Sequence, residues 1–205
     1  MPGLILISEP GHRENEAQLL NGMFAAGLSL LHLRKPEQAM GEVFSLLTAI
    51  DPAYRERIVL PFSLTQRNRS PFPEYRRIHF PGQLRQRTKP EYFSALRDKG
   101  YLLSTSIHEM ASLDALPPAF AYTFLGPVFD SISKPGYAAM DREVLMQLPE
   151  ARRTKVIALG GINEENCRTA LDYGFDGVAV LGAVWHSEDP LGQFKKIQAC
   201  LMKDR

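Results

Sequence analysis

The sequence has few cysteines and no excess of charge of either sign. The two cysteines, Cys167 and Cys200, lack the spacing of metal ligands and lie in segments with helical patterning, so we expect reduced thiols in a cytoplasmic protein. The 24 lysines and arginines nearly balance the 23 aspartates and glutamates. A near-neutral total argues against nucleic acid and membrane surfaces as partners, because both attract strongly basic proteins.

Long hydrophobic runs are also missing. No segment approaches the roughly 18 apolar residues that a membrane span requires. The N-terminal stretch MPGLILISEPGHRENEA has no basic leader, so we interpret its short apolar run as a strand rather than a signal peptide. The 205 residues contain no linker-like segment, and we predict one domain over residues 1–205.

Short segments rich in β-forming residues alternate with helical patterns along most of the chain. This alternation predicts a parallel sheet, and eight strand–helix units favour an α/β fold, a single-domain (β/α)8 TIM barrel. A doubly wound open sheet is the alternative, but it usually has a glycine-rich turn after its first strand, whereas the glycines here come late. The predicted strands are Leu4–Ser8, Leu28–Leu33, Ile58–Phe62, Arg77–Phe80, Tyr101–Ser104, Ala121–Leu125, Lys155–Leu159 and Gly177–Leu181.

Helix boundaries are clearest near the C-terminus. Asn163 precedes two glutamates and predicts the start of one helix, and Asp189 followed by Pro190 predicts the N-cap and first turn of the last helix. At the other end of the chain, Leu20 and Phe24 belong to an apolar stripe with helical spacing.

Glycines follow the last two predicted strands. Gly160 and Gly161 come after strand seven, and Gly182 opens GAVW, a predicted short helix, after strand eight. TIM barrels often bind a phosphate on these two loops, because glycine lets backbone N–H groups approach phosphate oxygens closely. The alternative is that the glycines only end strands and permit tight turns. The sequence therefore leaves two readings open, a phosphate site or a purely structural role.

Four segments resemble thiamine-phosphate synthases and the related thiazole tautomerases. In VIALGGINEENCRTALDYGFDGVAVLGAVW, residues 156–185, the glycines are similar to the family's phosphate loops in order and spacing. YTFLGPVFDSISKPG, residues 122–136, resembles the family's strand-six loop, in which Gly-Pro precedes two hydroxyl residues and a lysine. LHLRKP places Arg34 on the strand-two arginine, and STSIHE begins at Ser104. The resemblance covers the chain from about strand two to its end.

The resemblance implies an enzyme of thiamine synthesis, which joins hydroxymethylpyrimidine diphosphate to thiazole phosphate and releases pyrophosphate. Small phosphorylated substrates would be its partners, and a homodimer is the common default for such enzymes. Arg34 and Lys134 would supply positive charge to the leaving group. Ser104, Ser131 and Ser133 would contact substrate, the last two by hydrogen bonds to phosphate oxygens. The thiazole phosphate would be held by Gly160, Gly161 and Gly182.

The family uses Mg²⁺ to help pyrophosphate leave, but this sequence departs from the metal-binding pattern. Strand three of a synthase ends in Asn-Asp, whereas the corresponding stretch here is VLPFSLTQ. The Gly-Gln motif after strand four is normally followed by an acid, whereas here Leu84 and Arg85 follow. Mg²⁺ prefers carboxylate oxygens, so we predict no metal ligand, and the use of Mg²⁺ stays open. Pro36 also replaces the lysine that follows the strand-two arginine by two residues.

The tautomerase branch provides a second reading. Its catalytic histidine directly follows the strand-six glycine, where this chain has Pro127. His108 at the end of strand five and His32 on strand two are the candidate replacements, since a histidine near neutral pKa can carry protons. His32 and Arg34 alternate on one strand, so both should face the barrel interior. A non-catalytic phosphate-binding protein is the third reading.

The segment from Thr65 to Lys89 is rich in proline and arginine and predicts irregular chain around strand four. A solvated basic surface is the plain interpretation. The sharper hypothesis is that its arginines neutralise a diphosphate in place of the metal, because the guanidinium group matches phosphate geometry. Its basic residues are Arg67, Arg69, Arg76, Arg77, Arg85, Arg87 and Lys89.

Overall fold

The computed structural model describes residues 3–65, 74–130 and 139–202. Eight parallel strands form a closed barrel in which each strand pairs with its sequence neighbours and the first pairs with the last. The predicted TIM barrel and all eight predicted strands are therefore confirmed. The strands are β1 Leu4–Ile7, β2 Leu30–His32, β3 Ile58–Pro61, β4 Arg77–Phe80, β5 Leu102–Ile107, β6 Phe120–Leu125, β7 Lys155–Leu159 and β8 Gly177–Val180.

The largest difference from prediction lies in β5, which continues to Ile107 instead of stopping at Ser104. The run Ser104-Thr105-Ser106 has the composition of a turn, but Thr105 Oγ1 donates a hydrogen bond to the Phe80 carbonyl and stays buried. The sequence pattern was misleading because barrel strands can carry polar residues at the end where the site is formed. At β2, the predicted first residue, Leu28, instead donates its N–H to Met23 at the end of the preceding helix.

Helices and short 3₁₀ turns connect the strands on the outside of the barrel. Asp189 caps the last helix as predicted, since its Oδ1 accepts a hydrogen bond from Gly192 N–H. Asn163 Oδ1 accepts from Glu165 and Asn166 N–H groups, so a turn precedes the seventh helix. The helices are α1 Glu16–Ala25, α2 Met40–Ala49, α3 Phe62–Thr65, α4 Gly82–Arg87, α5 Pro90–Asp98, α6 Arg142–Leu145, α7 Cys167–Asp172, α8 Gly182–Trp185 and α9 Pro190–Met202, with 3₁₀ turns at Pro52–Arg57 and Met110–Ser112.

The hydrophobic core has two parts, as strand alternation requires. One packs the outer faces of the strands against the helices in two clusters, and its largest fully buried side chains include Phe24, Phe194 and Trp185. The other fills the barrel interior from seven buried residues: Ile5, Leu30, Val59, Tyr122, Phe124, Ile157 and Ala179. A barrel interior filled in this way is a packed core and not a pore, and TIM-barrel ligands bind at its carboxyl-terminal mouth. None of the helices described is long and apolar enough to cross a membrane.

Candidate active site

A cavity of about 1020 Å³ opens where β2, β3, β4 and β5 end and their following loops begin. This is the carboxyl-terminal edge of the barrel, where the sites of TIM-barrel enzymes form. Its lining is rich in nitrogen groups, and Glu109 contributes the one carboxylate among the described lining residues. The polar groups of the wall include Arg34, Lys35, Arg85, His32, His79, His108, Gln38, Gln83, Gln86, Ser63, Ser106 and Glu109.

Arg34 lies at the rim of this cavity, just beyond β2, with an exposed side chain. Its backbone is fixed against the end of β1, because Arg34 N–H donates to Ser8 Oγ at 2.8 Å and Ser8 Oγ donates back to the Arg34 carbonyl at 3.2 Å. Arg34 was predicted to face the barrel interior, but its side chain lies at the mouth of the barrel. From there its guanidinium can reach a ligand in the cavity.

Lys35 does not replace the missing strand-two lysine. Its Nζ lies 2.5 Å from Glu16 Oε2 and 2.8 Å from the Gly11 carbonyl, and its side chain is almost fully buried. Burial raises the pKa of the Glu16 carboxyl, and the adjacent ammonium opposes that shift. The ammonium is thus neutralised by a buried partner, which leaves little of its charge for a substrate.

Two histidines form the floor of the cavity, His32 buried and His79 half-buried. His32 Nε2 lies 2.5 Å from the Tyr122 hydroxyl, and the His32 and His79 rings meet edge to face at 5.3 Å. His79 Nδ1 lies 3.0 Å from Ser104 Oγ, and its Nε2 lies 3.3 Å from Ser106 Oγ. Because the Tyr122 hydroxyl is also hydrogen-bonded to Ser104, the structure joins two predicted residues, His32 and Ser104, into one hydrogen-bonded network.

The floor is uncharged at neutral pH. Burial lowers the pKa of His79 to about 4, and it lowers the pKa of His32 well below 6.5, with further lowering from His79 and Arg77. Burial also raises the pKa of the Tyr122 hydroxyl. The network can therefore hold a neutral polar ring by hydrogen bonds, and its imidazoles are weak bases.

His108 occupies the opposite wall, after β5. Its Nδ1 lies 3.1 Å from the Gly126 carbonyl. A hydrogen bond to a carbonyl requires the proton on Nδ1, so Nε2 of the neutral ring carries a lone pair. His108 is exposed and lines the cavity, so this lone pair can accept a proton from a ligand.

The glycine loops lie beside the cavity rather than in its wall. Gly160 and Gly161 have φ angles of +98° and +65°, and an added Cβ at Gly161 would come within 2.5 Å of the carbonyl oxygens of Phe129 and Asp130. The loops after β6 and β7 are also paired, since Phe129 N–H donates to the Gly160 carbonyl. Chain packing alone therefore demands glycine here, and phosphate binding by these residues stays a prediction.

Gly182 opens α8, the short helix predicted from GAVW. This helix is anchored at its far end, because the Trp185 indole N–H donates to the Ile7 carbonyl at 2.7 Å and Arg13 donates to the Trp185 carbonyl. A rigid α8 would fix the position of the Gly182 N–H. Ser131, Ser133 and Lys134 lie outside the described residues, as do Arg67 and Arg69.

The family model for thiamine monophosphate synthase matches residues 4–184. The chain belongs to this family. The family model covers all eight strands. The similarity to the family therefore includes the N-terminal half of the chain, where the sequence motifs are weaker.

Individual members of the thiamine monophosphate synthase family align over parts of the chain. A thiamine-phosphate synthase of Thermoplasma acidophilum is 36% identical over 80 residues, which is 39% of this chain and 38% of that protein. One from Pyrococcus furiosus is 33% identical over 89 residues, or 43% of each chain. The aligned parts thus span less than half of these relatives.

Solved structures match over nearly the whole chain. Thiamine phosphate pyrophosphorylase from Bacteroides thetaiotaomicron is 27% identical with a TM-score of 0.76, covering 98% of this chain and 99% of the other. The P. furiosus thiamine phosphate pyrophosphorylase has a TM-score of 0.77 at 17% identity, covers 98% of this chain and 95% of the other, and supports the fold.

The cavity does not fit the Mg²⁺ ion that the family resemblance implies. Among the described residues no group of three or more His, Cys, Asp or Glu side chains could hold a metal. The segments 66–73 and 131–138 contain no Asp or Glu in their sequence. Where the resemblance predicts acids, after β3 and β4, the chain has Phe62, Ser63 and Arg85. A hard cation needs oxygen ligands, so this donor set is unsuited to it.

Two features of the site were not predicted from the sequence. His79 was not identified as a site residue, although alternation on β4 gives its direction: Ile78 and Phe80 pack with Phe93 outside the barrel, so His79 must point inward. The arginines of the segment from Thr65 to Lys89 also differ in their surroundings. Arg76 stacks on Tyr101, and Arg85 lines the cavity.

Proposed function

We propose that the chain is a transferase of the synthase type, which joins hydroxymethylpyrimidine diphosphate to thiazole phosphate and releases pyrophosphate. The observation that carries this proposal is the basic cavity at the carboxyl-terminal edge of a barrel in this family. A reaction that expels a diphosphate needs positive charge where the leaving group departs. An uncharged ring of either substrate suits the uncharged floor below.

The proposed roles of the site residues follow the order of the strands that carry them. Arg34 at the rim, and Lys134 by resemblance, would bind the diphosphate and stabilise its charge as the C–O bond breaks. His32 and Ser104 would orient a substrate ring through hydrogen bonds. The thiazole phosphate would bind at the glycine loops after β7 and β8, which lie beside the cavity, so its ring nitrogen could approach the pyrimidine methylene carbon.

A thiazole-phosphate tautomerase without a metal is the second candidate. The observation that favours it is His108, which lines the cavity and whose Nε2 carries the lone pair of the neutral ring when Nδ1 donates to Gly126. A proton transfer at carbon needs such a base within reach of the substrate and needs no cation. In that reaction, Arg34 would bind the single phosphate and His108 would be the base.

Product analysis separates these candidates. The full chain would be incubated with both substrates, and thiamine phosphate would be followed by fluorescence after oxidation; conversion of the unaromatised thiazole phosphate would be followed by NMR. We expect thiamine phosphate, with kcat/KM about 100-fold lower for Arg34→Gln, since a charge-assisted contact to a leaving group contributes about 3 kcal/mol. Arg76→Gln, whose side chain rests on Tyr101, is the matched control and should retain wild-type activity.

Three other results would change the assignment. Isomerised thiazole without thiamine phosphate, lost in His108→Gln, would establish the second candidate and refute the first. Saturable binding of thiazole phosphate with neither product would establish a binding protein. Equal activity of Arg34→Gln and Arg76→Gln would remove Arg34 from the site.

A further inference from the structure

We propose that the cavity binds a diphosphate directly between the guanidinium groups of Arg34 and Arg85, without a divalent cation. The inference deepens the proposed function and rests on it, because the diphosphate is the leaving group of that reaction. It differs from the family's chemistry at one point: a fixed side-chain cation takes the place of the metal. It is tested by binding, which does not require turnover.

The barrel brings the two arginines to the same cavity from different strands. Arg34 follows β2, Arg85 lies on α4 directly after β4, and both line the cavity. Strand β3 separates them. Neighbouring strands lie about 4.8 Å apart, so the ends of β2 and β4 are about 10 Å apart. Two long side chains can close on a diphosphate across that gap, with one phosphate for each guanidinium.

Arg85 has an unfilled hydrogen-bond donor in this position. Its Nε is buried, and no partner for it exists among the described residues. Burial also lowers the pKa of the guanidinium, because the charged form loses hydration. A buried donor without a partner is destabilising. A phosphate oxygen would supply both the missing acceptor and the opposite charge.

The surrounding charges favour an anion over a cation. Lys35 is neutralised by Glu16, which leaves Arg34 and Arg85 as the cationic groups of the described wall. Glu109 is the single carboxylate there, and its side chain is exposed. A divalent ion placed between two guanidinium groups would be repelled, whereas a diphosphate would be attracted and could accept bidentate hydrogen bonds from each arginine.

Isothermal titration of the full chain with inorganic pyrophosphate tests this arrangement. Pyrophosphate should bind in excess EDTA, and excess Mg²⁺ should not tighten that binding, because Mg²⁺ competes with the two arginines for the phosphate oxygens. Arg85→Gln should weaken binding in EDTA by about tenfold or more, the effect expected when a charge-assisted contact is lost. Arg87→Gln, an exposed arginine in the last turn of the same helix, is the matched control and should bind as the wild type does.

The charge-reversed variant Arg85→Glu provides an independent readout. It should bind no pyrophosphate in EDTA, and circular dichroism melting will show whether it is folded. Wild-type binding that requires Mg²⁺ would overturn the inference, as would equal losses in Arg85→Gln and Arg87→Gln. EDTA-resistant binding without thiamine phosphate would refute the proposed transferase and leave the anion site standing. Formation of thiamine phosphate together with Mg²⁺-dependent binding of pyrophosphate would support the proposed transferase and refute the metal-free anion site.

Discussion

Gly161→Ala tests whether packing against the β6 loop requires glycine at position 161, and the measured quantity is the free energy of unfolding. Gly161 has a φ of +65°, a conformation that costs an L-residue about 1–2 kcal/mol. An alanine Cβ would also lie 2.5 Å from the carbonyl oxygens of both Phe129 and Asp130. Those atoms belong to backbone and cannot rotate away, so forced displacement adds about 1–3 kcal/mol. The two contributions together predict a loss of about 2–5 kcal/mol in the free energy of unfolding.

Gly100→Ala is the control that separates these two contributions. Gly100 has a φ of +84°, but nothing lies within 4 Å of an added Cβ. It should lose about 1–2 kcal/mol from backbone strain alone. Both variants would be measured by urea denaturation at equilibrium, with the change in midpoint multiplied by the wild-type slope. If Gly161→Ala were no less stable than Gly100→Ala, the contact with the β6 loop would not be a structural requirement.

Three further perturbations address the floor, the buried ion pair and the anchor of α8. The pKa of His79 falls from 6.5 to about 4 on folding, so the unfolded chain takes up a proton at a higher pH than the folded chain does. The free energy of unfolding should therefore decrease by up to about 3 kcal/mol as the pH falls from 6.5 to 4. His79→Gln should flatten this part of the pH profile measured by urea denaturation, and an unchanged slope would refute the lowered pKa of His79. Lys35→Met leaves Glu16 buried and uncompensated and should cost about 3–5 kcal/mol; the double variant with Glu16→Leu should recover much of that loss in the same assay, and a double variant as unstable as the single one would contradict it. Trp185→Phe leaves the Ile7 carbonyl without its indole donor and should cost about 1–3 kcal/mol, and a thermal melt identical to wild type would show that water replaces the indole.

The barrel could be predicted from the sequence because each strand is a local pattern. Leu4–Ile7 and Lys155–Leu159 are short apolar runs that end at loop signals, and their order along the chain determines the closed topology. The end of β5 could not be predicted in the same way. Ser104 and Ser106 are polar because they face His79, a residue of another strand, and that contact is not a local property.

Site residues could be predicted from the sequence only where they directly follow a strand. Arg34 and His108 follow strands, so the barrel brings them to one edge. The fate of Lys35 depends on Glu16, which lies on the outer helix α1 and carries no sequence signal for a buried ion pair. Arg85 was one of many arginines in the sequence, and its burial distinguishes it from Arg87 only in three dimensions.

The separation of the basic cavity from the glycine loops bears on which reaction the barrel carries out. The cavity lies over β2 to β5 and ends at Gly126 and Leu159, whereas Gly161 and Gly182 lie beyond it, after β7 and β8. An isomerase of a thiazole phosphate has one phosphate to bind, so it would need only one of these two predicted phosphate regions. A transferase that joins a monophosphate to a diphosphate needs both at once. Pyrophosphate and thiazole phosphate should therefore bind together, each with its own stoichiometry of one in calorimetric titration. Competition between them for one site would favour the isomerase.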